Sequence, residues 1–230
     1  MRGARESMQS NQGRFTGFFT LLFGAALLVL VTAAPVRAQG PYVGIQGGGL
    51  YVDEAQSSDD LGKFNLDYKI GYLASATLGY DLADRFPEIG KGRMELEGAY
   101  RKVDLDKAHF ADGKIGADGK LKVRSILFNT FAEYRETVPW IPYVGFGLGY
   151  AEVRLENATV SGTPLADDKD HVFAYQFGAG VGFLLGDHLT LDLGYRFFGT
   201  TNPKFKMADG SKMKTEYYSH AALLGLRLTF

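Results

Sequence analysis

The 230-residue chain contains no cysteine. That absence excludes a disulfide framework, thiolate metal centres and cysteine nucleophiles. Tryptophan occurs once and proline seven times. Neither sign of charge dominates, with 25 Lys and Arg against 26 Asp and Glu, a balance that argues against a general nucleic-acid binder, which needs a basic face to meet phosphates. Beyond residue 38 there is no apolar run of the ~18 residues that a membrane-crossing helix needs. What is plentiful is glycine, 30 residues, together with 13 Tyr and 17 Phe. An architecture has to account for both.

Residues 1–38 read as a secretory signal peptide. Arg2, Arg5 and Arg14 precede an uncharged stretch from Phe15 to Ala34, and Pro35 and the box Val36-Arg37-Ala38 follow. A membrane anchor is the competing reading, because an uncharged stretch of about 20 residues just spans a bilayer. The helix-breaking Pro35 and the cleavage box favour removal. The signal holds four Arg and one Glu, so the remaining domain, 39–230, carries 21 basic and 25 acidic residues, a net charge of −4.

The domain is patterned with a period of two. Ala222, Leu224, Leu226, Leu228 and Phe230 fall in one phase, with Gly225, Arg227 and Thr229 in the other. Leu189, Leu191, Leu193 and Tyr195 alternate with Thr190, Asp192, Gly194 and Arg196, and Val144, Phe146, Leu148 and Tyr150 with four glycine or alanine residues. Successive side chains of a strand point to opposite faces. Tyr175–Phe183 and the less regular segments 42–52, 70–82, 93–104 and 122–134 bring the total to eight predicted strands. Each is roughly 9–13 residues long, close to what a tilted strand needs to cross hydrocarbon.

Alternation alone does not separate a soluble barrel from a membrane one. Three further features do. The predicted connections alternate long and short: 53–69, 105–121, 154–171 and 199–217 are long, whereas 83–92, 135–140 and 185–188 are short. Long external loops and short periplasmic turns are the habit of a transmembrane barrel. Aromatic residues gather near strand ends, among them Tyr42, Tyr51, Tyr80, Trp140, Tyr143, Tyr150, Phe173 and Tyr218, as interfacial girdles require. Phe230 lies on the apolar phase at the end of the last strand. The expected fold is all-β: an eight-stranded antiparallel up-and-down transmembrane β-barrel.

Several segments carry a family resemblance: Arg93-Met94-Glu95-Leu96-Glu97-Gly98-Ala99-Tyr100-Arg101, Pro142–Ala151, Phe173–Gly182 and Leu191-Asp192-Leu193-Gly194-Tyr195-Arg196. Together they cover most of 41–230, and the chain resembles the OmpA-like small outer-membrane β-barrels, a family that includes porin-like proteins and surface antigens. The terminal Leu226, Leu228 and Phe230 resemble the signal read by the barrel-assembly machinery. The resemblance implies residence in the bacterial outer membrane, contact with its lipid and lipopolysaccharide, and external loops that meet host or surface partners. It implies no nucleic-acid partner. A peptidoglycan-binding domain like that of full-length OmpA is not expected.

The phase assignment places Asp81, Glu95, Glu97, Arg101, Glu133, Asp192, Arg196 and Arg227 inside, with Gln46, Asn129 and Gln176. A charge facing lipid at the midplane costs about 2–4 kcal/mol for Arg or Lys. An eight-stranded barrel is just wide enough to be filled by its own side chains, so the expected lumen is a plug of five acids and three Arg, nearly every Arg bridged. Twelve interior glycines make room for them.

No cofactor, metal or catalytic site is expected. The glycine runs at 145–149 and 178–182 lack the dinucleotide spacing, and the acidic cluster Asp167, Asp168, Asp170 and His171 reads as a solvated loop. The repeated Ala-Asp-Gly at 111–113, 117–119 and 208–210 reads as loop tips, since Asp-Gly favours hairpin turns. The expected function is a structural, adhesive or antigenic surface role. A narrow solute channel is the alternative. Less favoured is a lipid A-modifying enzyme, which needs a serine and a histidine together on the outer rim; Ser219 and His220 are neighbours and point oppositely.

Overall fold

The computed structural model describes residues 40–58, 63–82, 91–110, 113–136 and 139–230. The proposed signal peptide, 1–38, lies outside them. The described chain is built of antiparallel strands: β1 (Pro41–Val52), β2 (Ala55–Ser58), β3 (Lys63–Tyr68), β4 (Gly71–Asp81), β5 (Gly92–Phe110), β6 (Gly113–Glu133), β7 (Trp140–Val160), β8 (Thr163–Leu184), β9 (Leu189–Thr200), β10 (Lys204–Lys206), β11 (Lys212–Thr215) and β12 (Tyr218–Thr229).

Eight of these close a ring in chain order, β1-β4-β5-β6-β7-β8-β9-β12, and β12 returns to β1 with Tyr42 opposite Thr229 and Val52 opposite Ser219. Every strand of the ring therefore has two partners. In hydrocarbon this closure is obligatory, because no water is present to satisfy an open edge.

The outer wall reads directly from the alternation. On β7 the outward residues are Trp140, Pro142, Val144, Phe146, Leu148 and Tyr150, all exposed, before the face turns polar at Glu152, Arg154 and Glu156. Ten residues at about 3.3 Å each, tilted by ~40°, give a belt roughly 25 Å tall, the height of an outer-membrane barrel's apolar band. Rings mark both of its edges. Trp140 packs on Phe183 with centroids 4.5 Å apart at the end that carries the short turns and both strand termini, Pro41 and Thr229. At the other end Tyr72 meets Tyr100 at 6.1 Å, Tyr150 meets Phe173 at 6.1 Å, and Phe197 stacks on Tyr218 at 6.1 Å.

Two of the four long connections are not loops. Residues 105–110, 113–121, 154–160 and 163–171 are strand, so that β5–β8 run 19, 21, 21 and 22 residues and stand well above the membrane. The other two hold β2–β3 and β10–β11, which pair as β10-β11-β2-β3-β5. The sides of β8 and β10 meet through side chains and an isolated bridge: Asp170 accepts the Lys204 N–H at 2.9 Å, Asp168 accepts the Lys206 N–H at 2.7 Å, and Ala166 bridges Met207. The acidic cluster expected to be a solvated loop is thus a seam. A second, shorter cylinder of strands continues the first on the external side.

Of the three Ala-Asp-Gly repeats, 208–210 forms the β10–β11 turn, and Ala111 and Asp112 of the first lie outside the described residues. The middle one, 117–119, is no tip. It lies within β6 at a bulge between Asp118 and Lys120, where Gly119 has φ +143°. The β7–β8 tip is instead Ser161-Gly162, at φ 50° and 77°, both in the left-handed region that a tight hairpin turn demands.

The core of the external cylinder is apolar. Val103, Leu105, Leu121, Val123, Val153 and Leu155 point inward from β5–β7 and are buried against Leu66, Phe198, Phe205, Met213 and Tyr217. Ser57 and Thr215 form a polar pair in this zone, their hydroxyls 2.5 Å apart across the β2–β11 pairing. Because this core resembles the interior of a soluble domain, Leu121→Ala is expected to destabilise by about 2–5 kcal/mol. Urea unfolding in lipid vesicles measures it; a neutral effect would return 105–121 to the status of a free loop.

Candidate functional site: lumen and outer rim

Below the apolar core the lumen changes character. On β5 the inward side chains run Arg93, Glu95, Glu97, Ala99, Arg101 and then Val103, and on β6 Glu133, Phe131, Asn129, Leu127, Ser125 and then Val123. Asp81, Glu95, Glu97, Arg101, Glu133, Asp192, Arg196 and Arg227 are all at most 6% exposed. Asn129 and Gln176 are buried with them, and Gln46 is half-buried.

Two arginines that sequence reasoning overlooked complete the set. Arg93 pairs with Glu133 and lies 3.7 Å from Glu95, while its guanidinium stacks between Phe131 and Tyr143 at 4.3 and 4.4 Å. Arg135 reaches back from the β6–β7 turn to Glu133 and to Asp81 at 2.5 Å. With them the five lumenal acids, Asp81, Glu95, Glu97, Glu133 and Asp192, face five arginines: Arg93, Arg101, Arg135, Arg196 and Arg227. Among the described residues the five acids against three Arg expected from the sequence thus become five against five. Arg93 shares the phase of Glu95 and Glu97, so period two alone could have found it; Arg135 lies past the strand end and has no periodic signal.

Glu133 is the hub, contacted by Arg93, Arg135 and, at 3.4 Å, Arg227, which also binds Asp192 at 3.2 Å. One layer up, Tyr42 donates to Glu95 at 2.7 Å, Asn129 donates to Glu95 and Glu97 at 3.2 Å each, and Gln176 donates to Glu97 at 3.3 Å. Arg101 caps this layer. It donates to Ser125 at 2.8 Å and to Gln176 at 3.1 Å, lies 3.9 Å from Glu97 and sits over the Phe198 ring at 3.8 Å, where the apolar core begins.

Arg196 departs from the expectation that nearly every Arg is bridged. Among the described residues no carboxylate lies within ion-pair distance; it donates to the Tyr195 carbonyl at 3.3 Å and lies 4.9 Å from the Phe131 ring. Gly178 makes its space, since a Cβ there would come within 2.8 Å of Arg196 Nη1.

The outer rim above the girdle is ionic. Cross-strand register aligns Lys102, Lys122, Arg154 and Lys169 in one row across β5–β8. Like charges directly opposite repel, and flanking acids relieve this: Glu156 binds Lys122 at 2.5 Å and Arg154 at 3.2 Å, and Glu152 binds Lys169 at 2.7 Å and Arg124 at 3.5 Å. The hydrogen bond from Lys122 holds the Glu156 carboxyl below its usual range.

Near β1, β9 and β12 the rim carries a chain of three. His220 Nδ1 lies 2.6 Å from Tyr195 Oη, and its Nε2 lies 3.2 Å from Asp53. Ser219 is buried on the opposite face. The histidine thus has an acid behind it and a phenol, not a serine, before it. A cleft of about 450 Å³ opens between the β7–β8 tip and residues 206–208. Leu226 and Leu228 lie near the periplasmic end of β12, and Phe230 follows the strand, its N–H donating to the Pro41 carbonyl at 3.0 Å.

The outer membrane protein beta-barrel domain matches residues 23–230. The chain belongs to that family. An uncharacterized protein of Brucella abortus (strain 2308) is 32% identical over 163 residues, 64% of this chain and 56% of that protein. Outer membrane protein PagN of Salmonella typhimurium is 25% identical over 131 residues, 52% of this chain and 54% of its own. The chain thus spans little more than half the length of these relatives. Among solved structures, OprG of Pseudomonas aeruginosa superposes with a TM-score of 0.54 at 16% identity, over 84% of this chain and 98% of its own. Neisserial surface protein A superposes with 0.50 at 19%, over 83% and 97%. This family member is a Gram-negative outer-membrane β-barrel, and its cylinder crosses the outer membrane.

The two kinds of buried arginine separate experimentally. Arg93→Met removes one partner of a buried pair and should cost about 3–5 kcal/mol, whereas Arg196→Met strands no carboxylate and should cost clearly less. Urea unfolding of both variants in vesicles ranks them; equal losses would contradict the assignment of Glu133 as hub.

Proposed function

We propose that the protein is a closed, non-enzymatic outer-membrane barrel that carries a rigid external cylinder as a structural and partner-binding surface. The observation that carries this reading is the double filling of the lumen, ion pairs in the membrane half and an apolar core above. A solute would have to break the Glu133 hub and then cross Leu121, Val123 and Val153, which are at most 2% exposed. An eight-stranded barrel has little spare width for such a path. Function then falls to the outside of the cylinder and its tips, where host or surface partners would dock. Planar-bilayer recording on the refolded protein is expected to show no stable open state. A steady conductance would favour the channel reading instead.

The cationic row supports lipopolysaccharide as the lipid partner. Lys102, Lys122, Arg154 and Lys169 stand just above the tyrosines that mark the apolar edge, at the level of an outer leaflet's phosphates, and compact ammonium groups with guanidinium forks bind phosphate well. Thermal unfolding is expected at higher temperature in vesicles containing lipopolysaccharide than in zwitterionic vesicles. Changing all four to Gln should remove most of that difference; an unchanged difference would exclude the row. Leu226, Leu228 and Phe230 remain the proposed recognition element for assembly.

A further inference from the structure

The first external hairpin meets the barrel wall at three side chains of metal-binding type. Glu54 leaves the end of β1, Asp67 lies on β3 and His109 on β5, and one donor atom from each falls within 4.8 Å of the other two. Asp67 and His109 are diagonal neighbours across the β3–β5 pairing, where Asn65 faces His109 and Asp67 faces Lys107. They project outward, opposite in phase to the buried Leu66 and Ala108. A register shift beside Asp67, between Asp67 and Tyr68, bends the strand at this point. Bulges of this kind re-aim side chains.

A second observation separates this cluster from an ordinary surface ion pair. Asp67 Oδ1 and His109 Nε2 are both shut off from solvent, yet among the described residues neither has a hydrogen-bond partner. Nε2 lies 2.7 Å from Asp67 Oδ2 but outside the alignment that an N–H···O bond requires. Two buried donor atoms with unspent lone pairs, converging from different strands, are costly to leave unsatisfied. Lys107, across from Asp67, lies 4.0 Å from Asp106.

We propose that Glu54, Asp67 and His109 form a divalent transition-metal site of the zinc type. The donor set is one imidazole nitrogen and two carboxylates. Zinc takes such three-residue sets and keeps a fourth position for water, whereas calcium prefers six to eight oxygens and has no use for imidazole. A tetrahedral ion ~2.1 Å from each donor holds its donors roughly 3.4 Å apart. Asp67 and His109 need part by less than an ångström, and the exposed Glu54 closes the third side. The ion would bolt the β1–β2 connection and the β2–β3 hairpin to the long wall of β5, fixing the first external hairpin in place.

The test is zinc titration by calorimetry on protein extracted from outer membranes in detergent and stripped with a chelator. One saturable Zn²⁺ site per chain is expected, unaffected by calcium at equal concentration and accompanied by a rise in the unfolding temperature. His109→Ala and Asp67→Asn should abolish it, Glu54→Gln should weaken it by about tenfold or more, the equivalent of ~1.4 kcal/mol, and His220→Gln should leave it intact. Heat-modifiable migration checks that each variant is folded. Should His109→Ala fail that check, the exposed Glu54→Gln carries the decision. Absence of a saturable site, full Zn²⁺ binding in the folded variants, or displacement by calcium would overturn the assignment.

Discussion

Everything in this molecule follows from the pairing of β12 with β1. A sheet in hydrocarbon cannot keep an edge, because each unsatisfied N–H or C=O there costs several kcal/mol. Closing eight strands fixes the diameter, and the diameter leaves room for side chains but for little else. Charges that the alternation drives inward must then neutralise one another in a confined, poorly hydrated space. Among the described residues five acids meet five arginines, with Glu133 in contact with three of them, and this is how the sequence meets that demand.

The closed ring also explains the external cylinder. Above the aromatic edge, strands are in water and could have ended. Instead β5–β8 continue, and β2–β3 and β10–β11 supply the remaining staves, as Asp168 and Asp170 join β8 to β10. Once the wall is surrounded by water outside, the hydrophobic effect again favours an apolar interior. One cylinder thus follows two opposite rules, apolar outside and ionic inside within the bilayer, then polar outside and apolar inside above it. The tyrosine girdle and the row of Lys102, Lys122, Arg154 and Lys169 mark where the rules exchange.

The membrane half was legible because its alternation is unbroken. In β7, β8, β9 and β12 every second residue carries the same instruction over ten residues, and the inward phase of Glu95, Glu97, Asp192 and Arg227 could be read directly. The external half was hidden by bulges. Register shifts at Asp104/Lys107 and Leu155/Ala158 move the inward phase of β5 and β7 from odd to even positions, so that Leu105 and Ala108, and likewise Leu155 and Ala158, face the same core three residues apart. A pattern of two that slips by one looks like no pattern. Arg135 was invisible for another reason: it lies past the end of β6, where the alternation has stopped. Contacts such as those of His220 with Tyr195 and Asp53 depend on tertiary neighbours that no periodicity announces.

Arg196 and Gly178 carry an implication for descent. The guanidinium occupies the space that a side chain at 178 would need, with Nη1 and Cδ within 2.8 and 3.0 Å of where the first carbon would sit. Any larger residue at 178 requires the arginine to shift from this position, and an arginine held as it is at 196 favours a bare neighbour. The two positions constitute one heritable unit on adjacent strands, and lineages that lose one should be found to have altered the other.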